Sequence, residues 1–453
     1  MTSMTSTTTS RIAASPYAKL FAIPGTKSFC ISGAIARLPI SMMSLGIVLA
    51  LNYLYDNWTV AGSMSAAYIL AVASVTPFYA RLFDRFGQRR IGTVALTVQV
   101  IAMLGFAFAA WNRVPIPLLF ALAIVMGFTQ FSFGALVRTR WAYALRDSNN
   151  MGLLNTAYAL EAAIDEIVFI VGPILSAFLA TSVHPVSQLF VPTLACGIGG
   201  AVFFSLKHTQ PPVMELVDVT DNRATSASVS TSDSTLAPAS SSSVDSAQPD
   251  TLTIRQLRTS APKPKSALLY PGVLSIMIVF IVFNMSFNAF DVSITASMKA
   301  AGVEQWLGLQ LAMFAVGSCI GAMIFGSRQM RGSHWQHMML FLVLLTIGFV
   351  LFRLAMDHFL LLGALEVLSG LCVSPLFATG NLIVKDAVPE RSLTEGLSWL
   401  TTAGAVGTSL GSTLAGAVID AAGTHASMMI PWISVACSVP LAVFGWLLAR
   451  KRD

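Results

Sequence analysis

Long apolar stretches alternate with short polar turns along almost the whole chain. Each stretch is long enough to cross a bilayer as an α-helix, which takes about 20 residues. The pattern predicts an all-α membrane protein with twelve transmembrane helices. The first six apolar segments lie near residues 29–55, 60–79, 91–111, 115–137, 152–181 and 188–206, and the second six near 270–293, 305–327, 335–355, 358–383, 394–421 and 428–449.

A polar stretch, residues 207–268, separates the two sets of six segments. Its middle, from Thr220 to Asp250, consists mostly of Ser, Thr, Ala, Asp and Pro. Such a composition cannot bury enough apolar surface to offset the entropy of ordering the chain. We therefore expect a disordered tether, with a regulatory or phosphorylated segment as the alternative.

Composition agrees with a membrane protein, because 55% of the residues are hydrophobic and only 11% are charged. Soluble proteins carry about 25% charged residues. Lysine and arginine concentrate in the even-numbered loops, including Arg138, Arg140 and Arg146 after segment 4, and at the C-terminus. By the positive-inside rule, those loops and both termini are cytoplasmic. We expect a multi-pass protein of the plasma membrane.

The six-plus-six arrangement with its long middle loop indicates an internal duplication. We expect a cytoplasmic N-terminal tail at 1–28, an N-terminal bundle at 29–206, the cytoplasmic central loop at 207–268, a C-terminal bundle at 269–449 and a cytoplasmic C-terminus at 450–453.

The loop between segments 2 and 3 carries the most specific motif of the chain. It reads Ala80-Arg81-Leu82-Phe83-Asp84-Arg85-Phe86-Gly87-Gln88-Arg89-Arg90. It resembles the signature Gly-x-x-x-Asp-Arg-x-Gly-Arg-Arg of the major facilitator superfamily. Ala80 replaces the first glycine and Gln88 interrupts the basic run. The matching positions are Asp84, Arg85, Gly87, Arg89 and Arg90.

The resemblance implies two pseudo-symmetric six-helix bundles that move against each other. It also implies that Asp84 contacts the start of helix 11, near Leu393, and holds the cytoplasmic side shut. A helix N-terminus favours a carboxylate in this way. The alternative is that the loop only anchors the topology. Segments 1 and 5 also resemble those of actinobacterial members of the superfamily. This resemblance does not indicate a substrate.

Charged residues occur inside segments 1 and 5, where each costs at least about 2.5–3.5 kcal/mol on insertion scales. Glu161 and Asp165 are four residues apart and share a helix face, and Glu166 lies about 100° around. Arg37 lies at a depth similar to that of Glu161, so we expect an ion pair between them. This pairing leaves Asp165 or Glu166 less compensated.

Two hypotheses follow for the acids of segment 5. A carboxylate buried without a full partner can load and unload a proton near neutral pH, so Asp165 or Glu166 is a candidate for proton coupling, and we expect Asp165→Asn to lose coupled transport. The alternative is a structural cluster that joins helices 1 and 5. If segment 11 is the repeat-mate of segment 5, Gly404 and Ala405 occupy the equivalent positions, which favours a special role for the acids.

Polar residues in segments 4, 7 and 10 are candidates for a substrate cavity, because helices 1, 4, 7 and 10 line the cavity in the family. For the amides the alternative is helix–helix hydrogen bonding, and for Asp291 it is a solvated interfacial acid. Gly172 and Pro173 resemble part of a helix 5 motif of antiporters and favour export. The cavity candidates are Gln130, Asn284, Asn288, Asp291, Glu366 and Asn381.

Several function classes find no support in the sequence. A phosphate-binding Gly-x-x-x-x-Gly-Lys-[Ser/Thr] loop, a His-Glu-x-x-His zinc motif and a nucleophile–base pair are missing, so we expect neither an enzyme nor a metal or cofactor site. The net charge of +6 follows the loop pattern and indicates no nucleic acid.

The sequence favours a secondary active transporter that works by alternating access, with proton-coupled efflux (antiport) of a small molecule. The alternatives are proton-coupled uptake or facilitated diffusion of a small polar solute, and a non-transporting membrane sensor. We expect a monomer in the lipid bilayer whose partners are a small-molecule substrate and protons.

Overall fold

A computed structural model describes residues 16–146, 153–211, 267–270, 272–327 and 332–450. Within these residues the ordered elements are all helices. The N-terminal tail before Pro16, most of the central loop and the residues after Arg450 lie outside the described residues. The disorder expected of the central loop therefore stays a prediction.

The described residues include twelve helical spans long and apolar enough to cross a membrane, which confirms the all-α, twelve-helix prediction. They are numbered here as the segments they match. The helices of spans 1 to 6 are Thr26–Ala36 with Leu38–Tyr55, Trp58–Phe86, Gln88–Trp111, Ile116–Thr129 with Phe133–Ala144, Leu154–Ser182 and Ser187–Ser205. Those of spans 7 to 12 are Val273–Ala300, Leu307–Ser327, His334–Ala355, Phe359–Gly370 with Val373–Ala387, Glu390–Ala422, and Thr424–Ser427 with Met429–Arg450.

Span 1 is broken inside the membrane, and the break has a local cause. Its first helix ends at Ala36 and its second begins at Leu38, with Pro39 in the first turn of the second helix. Proline has no amide hydrogen to continue a helix and disfavours helical geometry in the residue before it. The break leaves Arg37 between the two helices, where its side chain contacts span 5.

Span 4 has a similar break at residues 130–132. Its second helix starts with Ser132 as the N-cap, whose hydroxyl accepts a hydrogen bond from Ala135 N at 3.3 Å. That helix continues to Ala144, beyond the end near 137 expected from the apolar pattern. Arg138 and Arg140, expected in the following loop, therefore belong to the membrane-spanning helix. Only Arg146 of that group lies beyond its end.

Buried apolar side chains show how the two six-helix bundles meet. A cluster around Phe29 and Trp141 combines residues of the N-terminal bundle with Leu20 of the short preceding helix Pro16–Ala22. It lies toward the side of the loop after span 2, where Arg85 and Arg89 are exposed, and which we call the basic side. A cluster toward the opposite side mixes residues of both bundles, as Met103 and Ala289 show. The bundles are thus packed together on the side opposite the basic side.

Spans 2 and 11 form the most direct contact between the bundles on that opposite side. The Asp420 carboxylate accepts hydrogen bonds from Trp58 N at 3.1 Å, from Thr59 N at 2.7 Å and from Thr59 Oγ1 at 2.6 Å. The free N–H groups and the dipole of a helix N-terminus both favour a carboxylate there. A side chain at Gly62 or Gly416 would collide with the backbone of the facing helix, so the two helices approach closely.

We expect Asp420→Ala to loosen this contact, because the first amides of span 2 then lose their acceptor. Hydrogen–deuterium exchange of the full chain in lipid nanodiscs should show faster uptake over residues 57–66. Asp357→Ala is the matched control, since Asp357 is also exposed on this side and pairs with His425 of its own bundle. Equal uptake in wild type and Asp420→Ala would show that the carboxylate does not hold the helices together.

Candidate functional site

A cavity of about 620 Å³ lies between the two bundles, near the middle of the spans. Residues of spans 1, 5, 7, 8, 10 and 11 line it, so both bundles contribute. Aromatic rings that contact one another, several hydroxyl groups from both bundles and two carboxylates line the space. The residues that matter below are Phe287, Phe314 and Phe377, Ser41, Ser44 and Ser318, and Glu166 and Asp291.

Each bundle places one carboxylate in this cavity. Glu166 of span 5 accepts a long hydrogen bond of 3.5 Å from Ser374 Oγ of span 10. The Ser374 hydroxyl also lies 2.7 Å from that of Ser318. Within the described part of the chain, neither Glu166 nor Asp291 forms an ion pair. A carboxylate enclosed without a cation is costly, so each gains from binding a proton or a cationic ligand.

The neighbouring acids of span 5 have a different environment. Arg37 donates through Nη2 to Glu161 Oε2 and, at 2.8 Å, through Nη1 to Asp165 Oδ1. Arg138 of span 4 donates to the second oxygen of Asp165 at 2.6 Å. Two arginines and two carboxylates thus form a charge-balanced cluster within the first bundle. The ion pair expected between Arg37 and Glu161 is present.

The Glu161 carboxylate is the buried centre of this cluster. Its side chain is inaccessible to solvent, and Oε1 accepts from Trp141 Nε1 at 2.8 Å and from Cys30 Sγ at 3.5 Å. Asp165 is held between two arginines, so of the two acids expected to be less compensated, Asp165 or Glu166, it is Glu166 that lacks a cationic partner among the described residues. Because Glu166 lies about 100° around the helix from Asp165, it faces the cavity instead. The cluster joins spans 1, 4 and 5.

The six residues predicted for a substrate cavity divide into two groups. Asn284, Asn288 and Asp291 of span 7 line the central cavity. The other three are not among its described lining residues. Gln130 accepts a hydrogen bond from Gln99 Nε2 at 2.8 Å inside the first bundle. The carboxylate of Glu366 is fully buried and accepts from Gln310 Nε2 at 3.0 Å, and Asn381 is exposed on span 10.

The Gly172–Pro173 pair of span 5 lies where the span contacts spans 1 and 8. A side chain at Gly172 would collide with Ser41 of span 1. Pro173 is inside the helix and lines the central cavity. Its carbonyl faces Gly308 of span 8, where a side chain would also collide. The pair therefore permits close packing next to the cavity.

The loop motif forms a tight turn on the basic side. Gly87 ends the helix of span 2 with a φ of 84°, which glycine adopts without strain. Arg85, Arg89 and Arg90 are exposed. The side chain of Asp84 lies outside the described residues, as do those at 390–392, so its predicted contact with the start of span 11 stays a prediction.

Gln88, where the motif departs from the family pattern, has a structural role. It is buried, and its Oε1 accepts from Arg140 Nε at 3.0 Å. Arg140 is also fully buried; it donates to Phe203 O at 3.0 Å and to Thr209 Oγ1 at 2.9 Å, and stacks on the Phe203 ring. Gln88 thus supplies a neutral acceptor for a buried arginine.

The chain is similar to known transporters in sequence pattern and in fold. The family model described as Major Facilitator Superfamily matches residues 29–328 and 274–453. The fold resembles that of the nucleoside transporter NupG, with a TM-score of 0.66 and 12% identity over 93% of this chain and 98% of that one. It also resembles the POT family transporter PepTSo, with a TM-score of 0.66 and 13% identity over 94% and 97% of the two chains. Searches find no curated protein sequence that matches. At these identities the solved structures show a shared fold alone.

Proposed function

From the premise that the chain belongs to the major facilitator superfamily, we propose that it exports a small apolar cation in exchange for protons by alternating access. Family membership makes it a secondary transporter of small molecules and not an enzyme. The observation that supports proton exchange and a cationic substrate is the pair of carboxylates in the central cavity, Glu166 and Asp291, which have no cationic partner among the described residues.

Exchange follows from competition for the same carboxylates. A proton and a substrate cation both neutralise Glu166, so binding of one favours release of the other. The aromatic rings of Phe287, Phe314 and Phe377 support an apolar, positively charged substrate, because a cation is attracted to the face of an aromatic ring. Each turnover then moves the cation one way and protons the other.

The packing of the bundles supports a conformation that is closed on the side opposite the basic side. Among the described residues, hydrogen bonds between the bundles lie at the level of Glu166 and Ser374 or on the opposite side, where Asp420 meets span 2. With the basic side in the cytoplasm, as the positive-inside rule indicates, this is the state that loads substrate for export. We propose that the two bundles, residues 29–206 and 269–449, rock as rigid units between this state and one that is closed on the basic side. In that second state Asp84 holds the basic side shut. Both termini are cytoplasmic in this proposal.

The second candidate is proton-coupled uptake or facilitated diffusion of a small polar solute. The hydroxyl groups of Ser41, Ser44 and Ser318 and the amide of Asn288 line the same cavity and suit a neutral polar ligand. The solved structures of similar fold include a nucleoside transporter and a peptide transporter. The resemblance of spans 1 and 5 to actinobacterial members stays a prediction and names no substrate.

A proteoliposome assay separates the two candidates. Vesicles with an acidic interior and an enclosed pH-sensitive dye are diluted into neutral medium, and ethidium, uridine or a dipeptide is added outside. We expect ethidium to accelerate the loss of internal acidity, because protons leave as the cation enters, and protein-free vesicles to show no such change.

Other outcomes of this assay identify other mechanisms. Proton-coupled uptake would instead bring protons in with uridine or the dipeptide and slow the loss of internal acidity, and facilitated diffusion would let the labelled solute enter with no effect on the dye. Either result, with no response to ethidium, would establish the second candidate and reject cation export. Entry of ethidium without movement of protons would reject proton exchange.

A further inference from the structure

A second pocket, of about 250 Å³, lies on the side opposite the basic side and apart from the central cavity. We propose that it binds a small organic anion with one carboxylate and an apolar body. The pocket lies between spans 1, 5, 7 and 8, so both bundles form its walls. The residues that carry the inference are Asn52, Lys299, His184, Glu304, Leu49 and Ala177.

The first observation is a buried amide with an unused donor. Asn52 is only 2% exposed, and its Oδ1 accepts a hydrogen bond from Lys299 Nζ at 2.6 Å. Its Nδ2 has no hydrogen-bond partner among the described residues. A buried N–H without an acceptor costs free energy, so a ligand oxygen that reaches this amide after a small shift of the pocket lining would be favoured there.

The second observation is a positive charge beside that amide. The ammonium group of Lys299 has three donors, of which one is used by Asn52. Its nearest carboxylate oxygen is that of Asp56 at 3.7 Å, on a side chain that is 92% exposed, so water weakens this ion pair. Lys299 therefore keeps charge and donors for an anionic ligand.

The third observation is a donor on the His184 ring, which lies just after the end of span 5. His184 Nδ1 accepts a hydrogen bond from Val186 N at 3.2 Å, which leaves Nε2 to carry the N–H of the neutral ring. An amide, an ammonium and an imidazole N–H around one small space suit the two oxygens of a carboxylate. Glu304 is the opposing charge on the lining, and it is exposed to solvent, where screening weakens its repulsion.

The apolar part of the ligand has its own surface. Leu49 and Ala177 line the pocket next to the polar groups. Pockets that bind drug-sized ligands have volumes of roughly 300–1,000 Å³. The smaller volume of this pocket therefore suits a smaller molecule, such as a single ring with a carboxylate. Because its walls belong to both bundles, a bound anion favours the conformation in which the bundles are in contact on this side.

The test is equilibrium dialysis of radiolabelled benzoate against the full chain in lipid nanodiscs. We expect saturable binding that weakens at least tenfold in Lys299→Gln, persists in Lys299→Arg and tightens in Glu304→Gln. Neutral benzamide, which has the same shape, should compete at least tenfold less well than unlabelled benzoate. A second variant, Asn52→Asp, should also abolish binding, because it places a negative charge beside the ligand.

Matched variants of the central cavity distinguish this site from the proposed transport site. Glu166→Gln and Asp291→Asn should bind benzoate like wild type, even if ethidium exchange fails in both. The absence of saturable benzoate binding would overturn the inference. So would binding that is lost in Glu166→Gln and kept in Lys299→Gln, because the anion would then occupy the central cavity.

Discussion

Replacing Arg37 by methionine should lower the free energy of unfolding by about 3–5 kcal/mol, the usual cost of removing one partner of a buried ion pair. Arg37 is 3% exposed and bonds two carboxylates, one of which, on Glu161, is fully buried. Without the guanidinium, Glu161 keeps, among the described residues, the donors of Trp141 and Cys30. SDS titration of the purified protein in mixed micelles, followed by tryptophan fluorescence, measures the loss.

The double variant Arg37→Met/Glu161→Gln is the control for this prediction. It removes both charges together, and buried ion pairs replaced by neutral groups of similar volume often cost little. We expect the double variant to be clearly more stable than Arg37→Met alone. If the double variant and Arg37→Met are equally unstable, the loss of stability would come from the lost packing of the arginine side chain and not from the unpaired buried charge of Glu161.

Replacing Glu166 by glutamine should reduce ethidium-driven proton release to the level of protein-free vesicles. The substitution keeps the size of the side chain and removes the group that exchanges a proton for a cation in the central cavity. The adjacent variant Asp165→Asn is the matched control, because Asp165 is held by Arg37 and Arg138 and is outside the cavity lining. It should lose stability and retain proton release per folded molecule.

The reverse result has a definite meaning. If Asp165→Asn loses proton release and Glu166→Gln keeps it, proton coupling belongs to the charge cluster of the first bundle, as the sequence first suggested. If both variants keep proton release, neither acid carries the proton, and Asp291→Asn is then the decisive variant.

The apolar pattern was sufficient to predict the twelve spans, because a bilayer imposes both the length and the composition of each helix. The pairing of Arg37 with Glu161 was also predictable, since two opposite charges at one depth have few other partners. Which of Asp165 and Glu166 faces the central cavity was not predictable. Helix periodicity gives their relative angle, but only the neighbouring helices determine which of them faces the cavity.

Two other features escaped sequence reasoning for physical reasons. Arg140 followed the end of an apolar run and was therefore assigned to a loop, yet Gln88 and two further acceptors allow it to lie inside the bundle. The contact of Asp420 with the other bundle was not predicted. Its partners, Trp58 and Thr59, belong to the other bundle, and no local pattern indicates a contact over so many residues.

The hydrogen bonds of Arg140 also extend the rigid part of the first bundle beyond the end of span 6. Thr209 is bonded to Arg140, and the Gln210 side chain donates to Phe204 O at 3.2 Å, so the chain stays attached to the first bundle for several residues beyond Ser205, where span 6 ends. A fluorophore attached near Gln210 would therefore report rotation of the first bundle as a rigid body. Energy transfer between this fluorophore and a second dye on span 12 would then measure how the distance between the two bundles changes during turnover.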